Sequence, residues 1–131
     1  KFSIPYTAAA ALVKGRVTQE EFTEEVLADP LVRNLASRTR VEEAEEFTKR
    51  YPGQWGSRMT ITRKDGTTIQ KQVDDMSGSE KNPLSEKQET DKFTGLAGTV
   101  YRDERRERLM ETILSLETCS RLPGIFGEGR L

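Results

Sequence analysis

Apolar and polar residues alternate along two short runs in the middle of the chain. These runs, residues 58–63 and 67–73, are rich in β-branched residues and flank the tripeptide Lys64-Asp65-Gly66. Such an arrangement predicts a β-hairpin. Its register depends on the loop length, because a shift of one residue moves every side chain to the other face of the sheet.

A two-residue loop would place the apolar residues of the two strands on opposite faces, whereas a three-residue loop places Ile61 opposite Ile69. We therefore predict the longer loop, with Gly66 in the left-handed conformation of a G1 bulge. The apolar face of this hairpin, which we expect to be buried, carries Met59, Ile61, Ile69 and Val73. An isolated hairpin is marginally stable in water, so another strand or a covering helix is also expected.

Helix signals frame the start of the chain. Pro5 fits the first turn of a helix, and Gly15 is a typical stop, which together predict a helix from Ser3 or Ile4 to Lys14. Alanines in this helix favour helical structure and leave room for another element to approach. One face of the helix would carry Tyr6, Ala9, Ala10 and Val13.

Two further helices are predicted before residue 40. Thr18 and Glu21 have the spacing of a capping box, which predicts a helix over residues 19–28. The dipeptide Asp29-Pro30 predicts a third helix over residues 31–37, because Asp caps a helix and Pro fits its first turn. We expect the third helix to be buried through Leu31 and Leu35, with Val32 as a further candidate.

Residues 39–43 hold one apolar side chain, Val41, in an otherwise polar stretch. We interpret this stretch as a short strand beside the hairpin. A helix over residues 42–50, with Ala44 and Phe47 facing inward, is the open alternative.

Two helices are predicted after the hairpin. Ser85 and Gln88 form a second capping box and predict a helix to about Leu96. The last helix would run from Asp103 to about Glu117. Its wide apolar face would comprise Leu109, Met110, Ile113, Leu114 and Leu116.

The order of these elements predicts an α+β fold. We expect a small antiparallel sheet that contains the hairpin, helices packed on one face of it, and a C-terminal helix. Residues 121–131 would form a tail, since they contain Pro123 and three glycines. At 131 residues the chain has the length of one domain.

Composition excludes several classes of function. The net charge of −1 gives no bias toward nucleic acid or anionic lipid, and no run of 18 apolar residues could span a membrane. Cys119 is the one cysteine, so an internal disulfide and a cysteine-based zinc site are excluded. A single cysteine fits a reducing compartment, and we expect a cytoplasmic protein that binds neither nucleic acid nor membrane.

Few residues suggest chemistry by themselves. The phenol of Tyr6 could donate a proton or bind a carboxylate, although a core tyrosine is the alternative. Ser3 fits a helix cap better than a nucleophile, because no recognisable base accompanies it. The acidic run at residues 42–46 lacks metal-ligand spacing, and the chain has no histidine. The chain is therefore a binding or structural module, or one part of an enzyme.

Five segments in a fixed order carry a resemblance to a known family: FSIPYTAAAALVKG, VTQEEF, ADPLVRNLASR, YPGQWGSRMTITRKDGTTI and NPLSEKQETDKF. Together they resemble the C-terminal part of the MmgE/PrpD family, the 2-methylcitrate dehydratases and their relatives. The resemblance covers residues 1–96 well and the last helix only in kind.

The resemblance implies a two-domain enzyme that acts on a small di- or tricarboxylate by dehydration, decarboxylation or isomerisation, without an iron–sulfur cluster or other cofactor. Residues 1–98 would be the α+β lid domain that closes over the active site. Residues 99–131 would return to a large N-terminal helical domain that this chain lacks. Because the chain starts without an initiator Met, within what looks like a helix N-terminus, we expect a fragment. The resemblance implies that it is inactive alone, since most of the family's catalytic His, Asp and Lys residues belong to the missing domain. The full-length form would be a homodimer, assembled largely through the missing domain.

The resemblance also implies site residues. In the decarboxylase branch of the family, a tyrosine in the matching first segment faces the substrate pocket, which makes Tyr6 the candidate catalytic residue. Ser3 would lie near the substrate, and no metal is expected. The alternative function is a non-catalytic interaction module that docks a partner protein through the apolar face of the last helix.

Overall fold

A computed structural model describes residues 2–120 of the chain. The chain forms two compact units, which divide between Tyr51 and Pro52. The described part of the first unit is helical, whereas the second contains a two-stranded antiparallel sheet and two longer helices. This content confirms the predicted α+β class.

The first helix, α1, spans Ile4–Lys14 and has the predicted ends. The Oγ of Ser3 accepts a hydrogen bond from the backbone N–H of Tyr6 at 3.3 Å, which caps the helix. Gly15 follows the helix with a φ of 74° and donates its N–H to the carbonyl of Ala11 at 2.9 Å. A left-handed residue at this position satisfies a carbonyl that the helix would otherwise leave unpaired.

The predicted helix over residues 19–28 is wrong, because the structure divides this stretch into two short pieces. A 3₁₀ turn spans Glu20–Phe22, and helix α2 spans Glu24–Leu27. Between them Thr23 is extended, with φ −73° and ψ 156°, which interrupts the helical hydrogen bonds. The capping box is also incomplete, since the Oγ1 of Thr18 accepts from the N–H of Glu20 at 3.2 Å.

Helix α3, Pro30–Arg38, packs on α1, and Asp29 caps it as predicted. The prediction that Leu31 helps to bury this helix is wrong, because its side chain is 69% exposed while Val32 is fully buried. Adjacent helical residues point about 100° apart, so the face that reaches α1 includes one but not the other. The small core comprises Ala9, Ala10 and Val32, packed by Tyr6, Val13, Leu35 and Ala36.

The short strand predicted over residues 39–43 is wrong. This segment has no regular structure, and Val41 is exposed. One apolar side chain offers too little surface to hold a strand against a sheet. A short helix, α4, follows at Glu45–Thr48, so the alternative of a helix is correct in kind but too long.

The hairpin has the predicted register. Strands β1, Ser57–Thr62, and β2, Thr68–Val73, pair antiparallel with Ile61 opposite Ile69. The loop closes through a bond from the N–H of Arg63 to the carbonyl of Thr67 at 2.8 Å. These pairings confirm the three-residue loop.

The expectation that the apolar face of the hairpin is buried is wrong for the residues that the structure describes. Met59, Ile69 and Val73 all remain exposed, with Ile69 at 44%. The register explains part of this result, because it places Ser57 opposite Val73 and Lys71 opposite Met59. A face that mixes these polar residues with apolar ones gains less from burial than a uniformly apolar face.

Helix α5, Glu86–Ala97, starts with the predicted capping box, in which Ser85 and Gln88 each accept a bond from the backbone of the other. Helix α6 spans Asp103–Leu114 and stops earlier than predicted, followed by a 3₁₀ turn at Leu116–Thr118.

The apolar face predicted for the last helix is only partly buried within the described residues. Leu109 is buried, but Ile113 is exposed and Leu114 is 71% exposed. The early stop at Leu114 shortens the apolar stripe by most of a turn. The predicted tail, residues 121–131, lies outside the described residues.

Candidate functional site

Tyr6 lies in the first turn of α1 and is half-buried. Its ring and its hydroxyl each contact another residue. The ring packs against that of Phe22, with centroids 5.6 Å apart and planes tilted by 47°. The hydroxyl donates a hydrogen bond to the backbone carbonyl of Glu21. The phenol is therefore fixed by the 3₁₀ turn Glu20–Phe22, which follows it by 15 residues.

Ser3 lies beside Tyr6 in sequence and in space, as the cap of the same helix. Its Oγ accepts from the N–H of Tyr6, and its carbonyl accepts from the N–H of Thr7 at 3.0 Å. The cap interpretation is confirmed. Proximity of Ser3 to a substrate stays a prediction.

The carboxylate of Glu21 is buried, with 3% of the residue exposed. Its Oε2 accepts from the N–H of Thr18 at 2.6 Å and from the hydroxyl of Thr18 at 2.8 Å. Its Oε1 accepts from the Nε of Arg16 at 3.0 Å, and Arg16 also pairs with the exposed Glu20. Three donors thus surround a charge that would be costly to bury alone.

These bonds lower the pKa of Glu21 from its ordinary value of 4.5 to about 2. The largest cause is the backbone N–H of Thr18, helped by its hydroxyl and by Arg16, while burial acts in the opposite direction. Glu21 is consequently a carboxylate at every physiological pH. It suits the role of a fixed anion better than that of a proton carrier.

Glu21 is the residue of this cluster that the sequence did not reveal as part of a site. The spacing of Thr18 and Glu21 indicated a helix cap, and the carboxylate does accept the N–H of Thr18. No pattern indicated that the carbonyl of the same residue would meet the phenol of Tyr6, because that contact joins two separate elements.

The geometry limits what Tyr6 can do chemically. A phenol has one proton, which here is donated to the carbonyl of Glu21, and its oxygen can still accept a hydrogen bond. To donate to a substrate carboxylate, Tyr6 would have to exchange this carbonyl for the substrate. The contact of the ring with Phe22 does not involve the hydroxyl.

A second irregular segment, residues 74–84, forms an ordered loop in the second unit. Gly78 adopts a φ of 87° and donates its N–H to the carbonyl of Asn82 at 2.8 Å. The side chain of Asn82 donates to the carbonyl of Asp75 at 3.0 Å, and Gln54 donates to the carboxylate of Asp75 at 3.1 Å. These polar groups are thus engaged within the unit, which leaves fewer donors for a ligand.

Other candidate chemistry is absent from the described range. No group of three or more His, Cys, Asp or Glu side chains within residues 2–120 could hold a metal ion. Cys119 is exposed and unpaired with another cysteine, and its thiol donates to the carbonyl of Ser115. None of the helices described is long and apolar enough to cross a lipid bilayer.

Comparison with known proteins gives this geometry a context. The sequence model of a protein family, the MmgE/PrpD C-terminal domain, matches residues 1–118 of the chain. A cis-aconitate decarboxylase-like protein of Aspergillus oryzae, oryM, is 32% identical over 116 residues, which cover 88% of this chain and 23% of that protein. The cis-aconitate decarboxylase of Mus musculus is 29% identical over 123 residues, covering 92% of this chain and 25% of that protein.

A third relative carries a different activity in its name. The mitochondrial 2-methylcitrate dehydratase of Yarrowia lipolytica is 31% identical over 70 residues, which cover 50% of this chain and 14% of that protein. The chain therefore spans about a quarter or less of the length of these relatives.

Proposed function

The chain belongs to the MmgE/PrpD family as its C-terminal domain, and from this premise we propose that it forms part of a lyase acting on a small di- or tricarboxylate. The match over residues 1–118 is the observation that carries the proposal. Relatives named as decarboxylases and as a dehydratase support the same class of substrate, because cis-aconitate and 2-methylcitrate are both tricarboxylates.

Within this enzyme, the chain closes over a reaction centre whose base lies elsewhere in the polypeptide. Decarboxylation and dehydration of a polycarboxylate both move protons beside a carboxylate, which requires a base and a donor in a site closed to water. The chain supplies the phenol of Tyr6 as donor, and it has no histidine to serve as base. The chain covers a small share of the relatives' length, which agrees with a base that lies in another part of the polypeptide.

The activity is tested by assaying the full-length protein against citrate, 2-methylcitrate and cis-aconitate. Formation of an unsaturated product is followed by ultraviolet absorbance, and decarboxylation by release of carbon dioxide. We expect the full-length protein to convert at least one of these acids and the 131-residue chain to convert none. Conversion by the purified chain alone would contradict the proposed division.

The role of Tyr6 is tested in the full-length enzyme by Tyr6→Phe, which removes the hydroxyl and keeps the ring on Phe22. We expect kcat to fall roughly tenfold or more, because general acid catalysis typically contributes at least that much. Tyr51→Phe is the matched control, since the side chain of Tyr51 is exposed. An unchanged kcat for Tyr6→Phe would remove this phenol from the mechanism.

The exposed end of α6 supports a further part of the proposal. Ile113 and Leu114 present apolar surface, which would pack against the helical domain of the same polypeptide. The same surface is the one observation in favour of a non-catalytic docking module. Leu114→Glu separates the two functions: loss of turnover in the full-length protein supports packing within the lyase, whereas a full-length protein that converts none of the three acids and loses a bound partner protein on this change supports docking.

A further inference from the structure

Glu21 is the charged residue that the described part of the chain buries most completely. A buried carboxylate is costly unless donors surround it, and Glu21 has three within 3.0 Å. Two of these come from Thr18 and one from Arg16. The arrangement needs an explanation, because an exposed acid at the same position would cap the turn equally well.

The two ends of Glu21 contact different parts of the molecule. Its carboxylate is held by the segment that precedes the 3₁₀ turn, through Thr18 and Arg16. Its backbone carbonyl accepts the hydroxyl of Tyr6, on α1. Glu21 therefore connects Thr18 and Arg16 to the phenol of Tyr6.

The 3₁₀ turn is short. It contains three residues, and the bond from the N–H of Thr23 to the carbonyl of Glu20 is long at 3.4 Å, while that from Phe22 to Gln19 is ordinary at 3.1 Å. Side chains add further anchors: the N–H of Thr18 donates to the carboxylate of Glu21 at 2.6 Å, and Arg16 pairs with Glu20. Of the two acids that anchor the turn, Glu21 is buried and Glu20 is exposed.

We propose that Glu21 is a positioning residue, whose carboxylate fixes the 3₁₀ turn so that its carbonyl and the ring of Phe22 set the position from which the Tyr6 phenol turns its proton to a substrate. The expected effect of Glu21 on catalysis rests on the proposed function of Tyr6. The positioning of the Tyr6 side chain, called the structural hold below, does not rest on it, because all of its contacts lie within this chain.

The hold is measured on the chain by carbon-13 NMR, with the tyrosines labelled at the ring carbon that bears the hydroxyl. The chain has three tyrosines, and the signal lost in Tyr6→Phe identifies Tyr6. Glu21→Gln places an amide NH₂ or a weaker acceptor against the donors of Thr18 and Arg16, so we expect the Tyr6 signal to move toward that of an exposed tyrosine. Circular dichroism checks that the variant remains folded.

Glu20→Gln is the matched control, because it makes the same change one residue earlier in the same turn. Glu20 also pairs with Arg16, but its side chain is exposed. We expect the Tyr6 signal to stay at its original position in this variant. A shift as large as that of Glu21→Gln would overturn the proposal, since the effect would then follow from loss of any acid in the turn.

A milder variant covers the case in which Glu21→Gln does not fold. Thr18→Val removes the hydroxyl, which donates to Glu21 and accepts the N–H of Glu20, and leaves the backbone N–H bond to Glu21 in place. We expect it to shift the Tyr6 signal in the same direction by a smaller amount, while Thr18→Ser restores the original position. No shift in Thr18→Val would count against the proposal, and so would an equal shift in Thr18→Ser, because serine keeps the hydroxyl.

In the full-length enzyme, a double-mutant cycle tests whether Glu21 acts through Tyr6. Glu21→Gln should lower kcat roughly tenfold with a smaller change in KM, since a displaced donor affects the transition state more than binding. Adding Glu21→Gln to Tyr6→Phe should cause little further loss, because the phenol that Glu21 positions is already absent. Full additivity of the two losses would overturn the proposal.

The two proposals fail in different ways. An unchanged Tyr6 signal in folded Glu21→Gln overturns the hold, whatever Tyr6→Phe does to turnover. If Tyr6→Phe turns over normally, neither Tyr6 nor Glu21 has the proposed role in catalysis. A shifted Tyr6 signal in Glu21→Gln would still support the structural hold.

Discussion

The Nζ of Lys14, in the last turn of α1, lies 2.7 Å from the Oδ2 of Asp29, the residue that caps α3. The other oxygen of Asp29, Oδ1, accepts from the N–H of Leu31 at 2.8 Å. One carboxylate thus caps a helix and joins it to the end of its neighbour. The bond from Lys14 is the largest cause of the lowered pKa of Asp29, followed by the N–H of Leu31. Both charges also lie at the helix ends that favour them.

Two substitutions of Asp29 separate the cap from the ion pair. Asp29→Ala removes both and should lower the Tm of the chain by about 5 °C, the effect expected for loss of a helix cap. Asp29→Asn keeps a good capping group and loses the charge, so we expect a much smaller fall, because partly exposed ion pairs stabilise little. Thermal unfolding followed by circular dichroism measures both. Equal falls in Tm for the two variants would show that Asp29 stabilises the chain through the ion pair and not through the helix cap.

Val32 and its neighbour Leu31 provide a test of the core. Val32→Ala should lower the free energy of unfolding by about 1–3 kcal/mol, because it removes apolar contacts and leaves a cavity between α1 and α3. Leu31→Ala, one residue earlier on an exposed side chain, should change it by less than about 0.5 kcal/mol. Denaturant unfolding at equilibrium gives both values. A larger loss for Leu31→Ala would contradict the packing of α3.

These neighbours also show which parts of the fold the sequence could predict. The cap at Asp29, the stop at Gly15 and the hairpin register depend on residues within a few positions of each other, and all three were predicted correctly. The choice between Leu31 and Val32 depends on where α1 lies, which no local pattern contains. The exposed face of the hairpin has the same explanation. The alternation of apolar and polar residues predicts which side chains share a face, but not whether another element packs on that face.

Gly66 and Gly95 should respond in opposite directions to the same change. Gly66 has a φ of +84°, so Gly66→Ala should destabilise the chain by about 1–2 kcal/mol, the cost of a left-handed alanine. Gly95 lies inside α5, and a Cβ there would meet nothing within 4 Å. Gly95→Ala should therefore stabilise the chain by about 0.5–1 kcal/mol. Chemical unfolding of the two variants measures the difference, and a loss in both would contradict the geometry at Gly95.

The candidate site was predictable only in part. Tyr6 came from the family resemblance, since a phenol at a helix start has no distinctive local signal. Glu21 came from the structure, because its spacing to Thr18 indicated a cap, while its burial and its carbonyl contact to Tyr6 depend on how the 3₁₀ turn packs on α1. Local chemistry can indicate that an acid caps a turn, but not which side chain the turn then holds.

Acid should destabilise the first unit through Glu21. The pKa of this carboxyl is about 2 when folded and near its ordinary 4.5 when unfolded, so between these values the unfolded state binds more protons. The contribution of Glu21 is therefore complete above about pH 4.5 and is lost as the pH falls toward 2. Asp29 and Asp65, whose pKa values are also lowered, add to the same trend.

Glu21→Gln isolates this contribution, because glutamine does not titrate. We expect the variant to be less stable than the original chain at neutral pH and to lose less stability on acidification, so that the two unfolding curves converge toward pH 2. Glu20→Gln, which changes an exposed side chain of the same turn, is the control: an effect as large as that of Glu21→Gln would show that burial of Glu21 is not the cause. Thermal unfolding across this range measures all three proteins. Parallel curves for Glu21→Gln and the original chain would show that the carboxylate of Glu21 has the same pKa in both states, contrary to its burial among three donors.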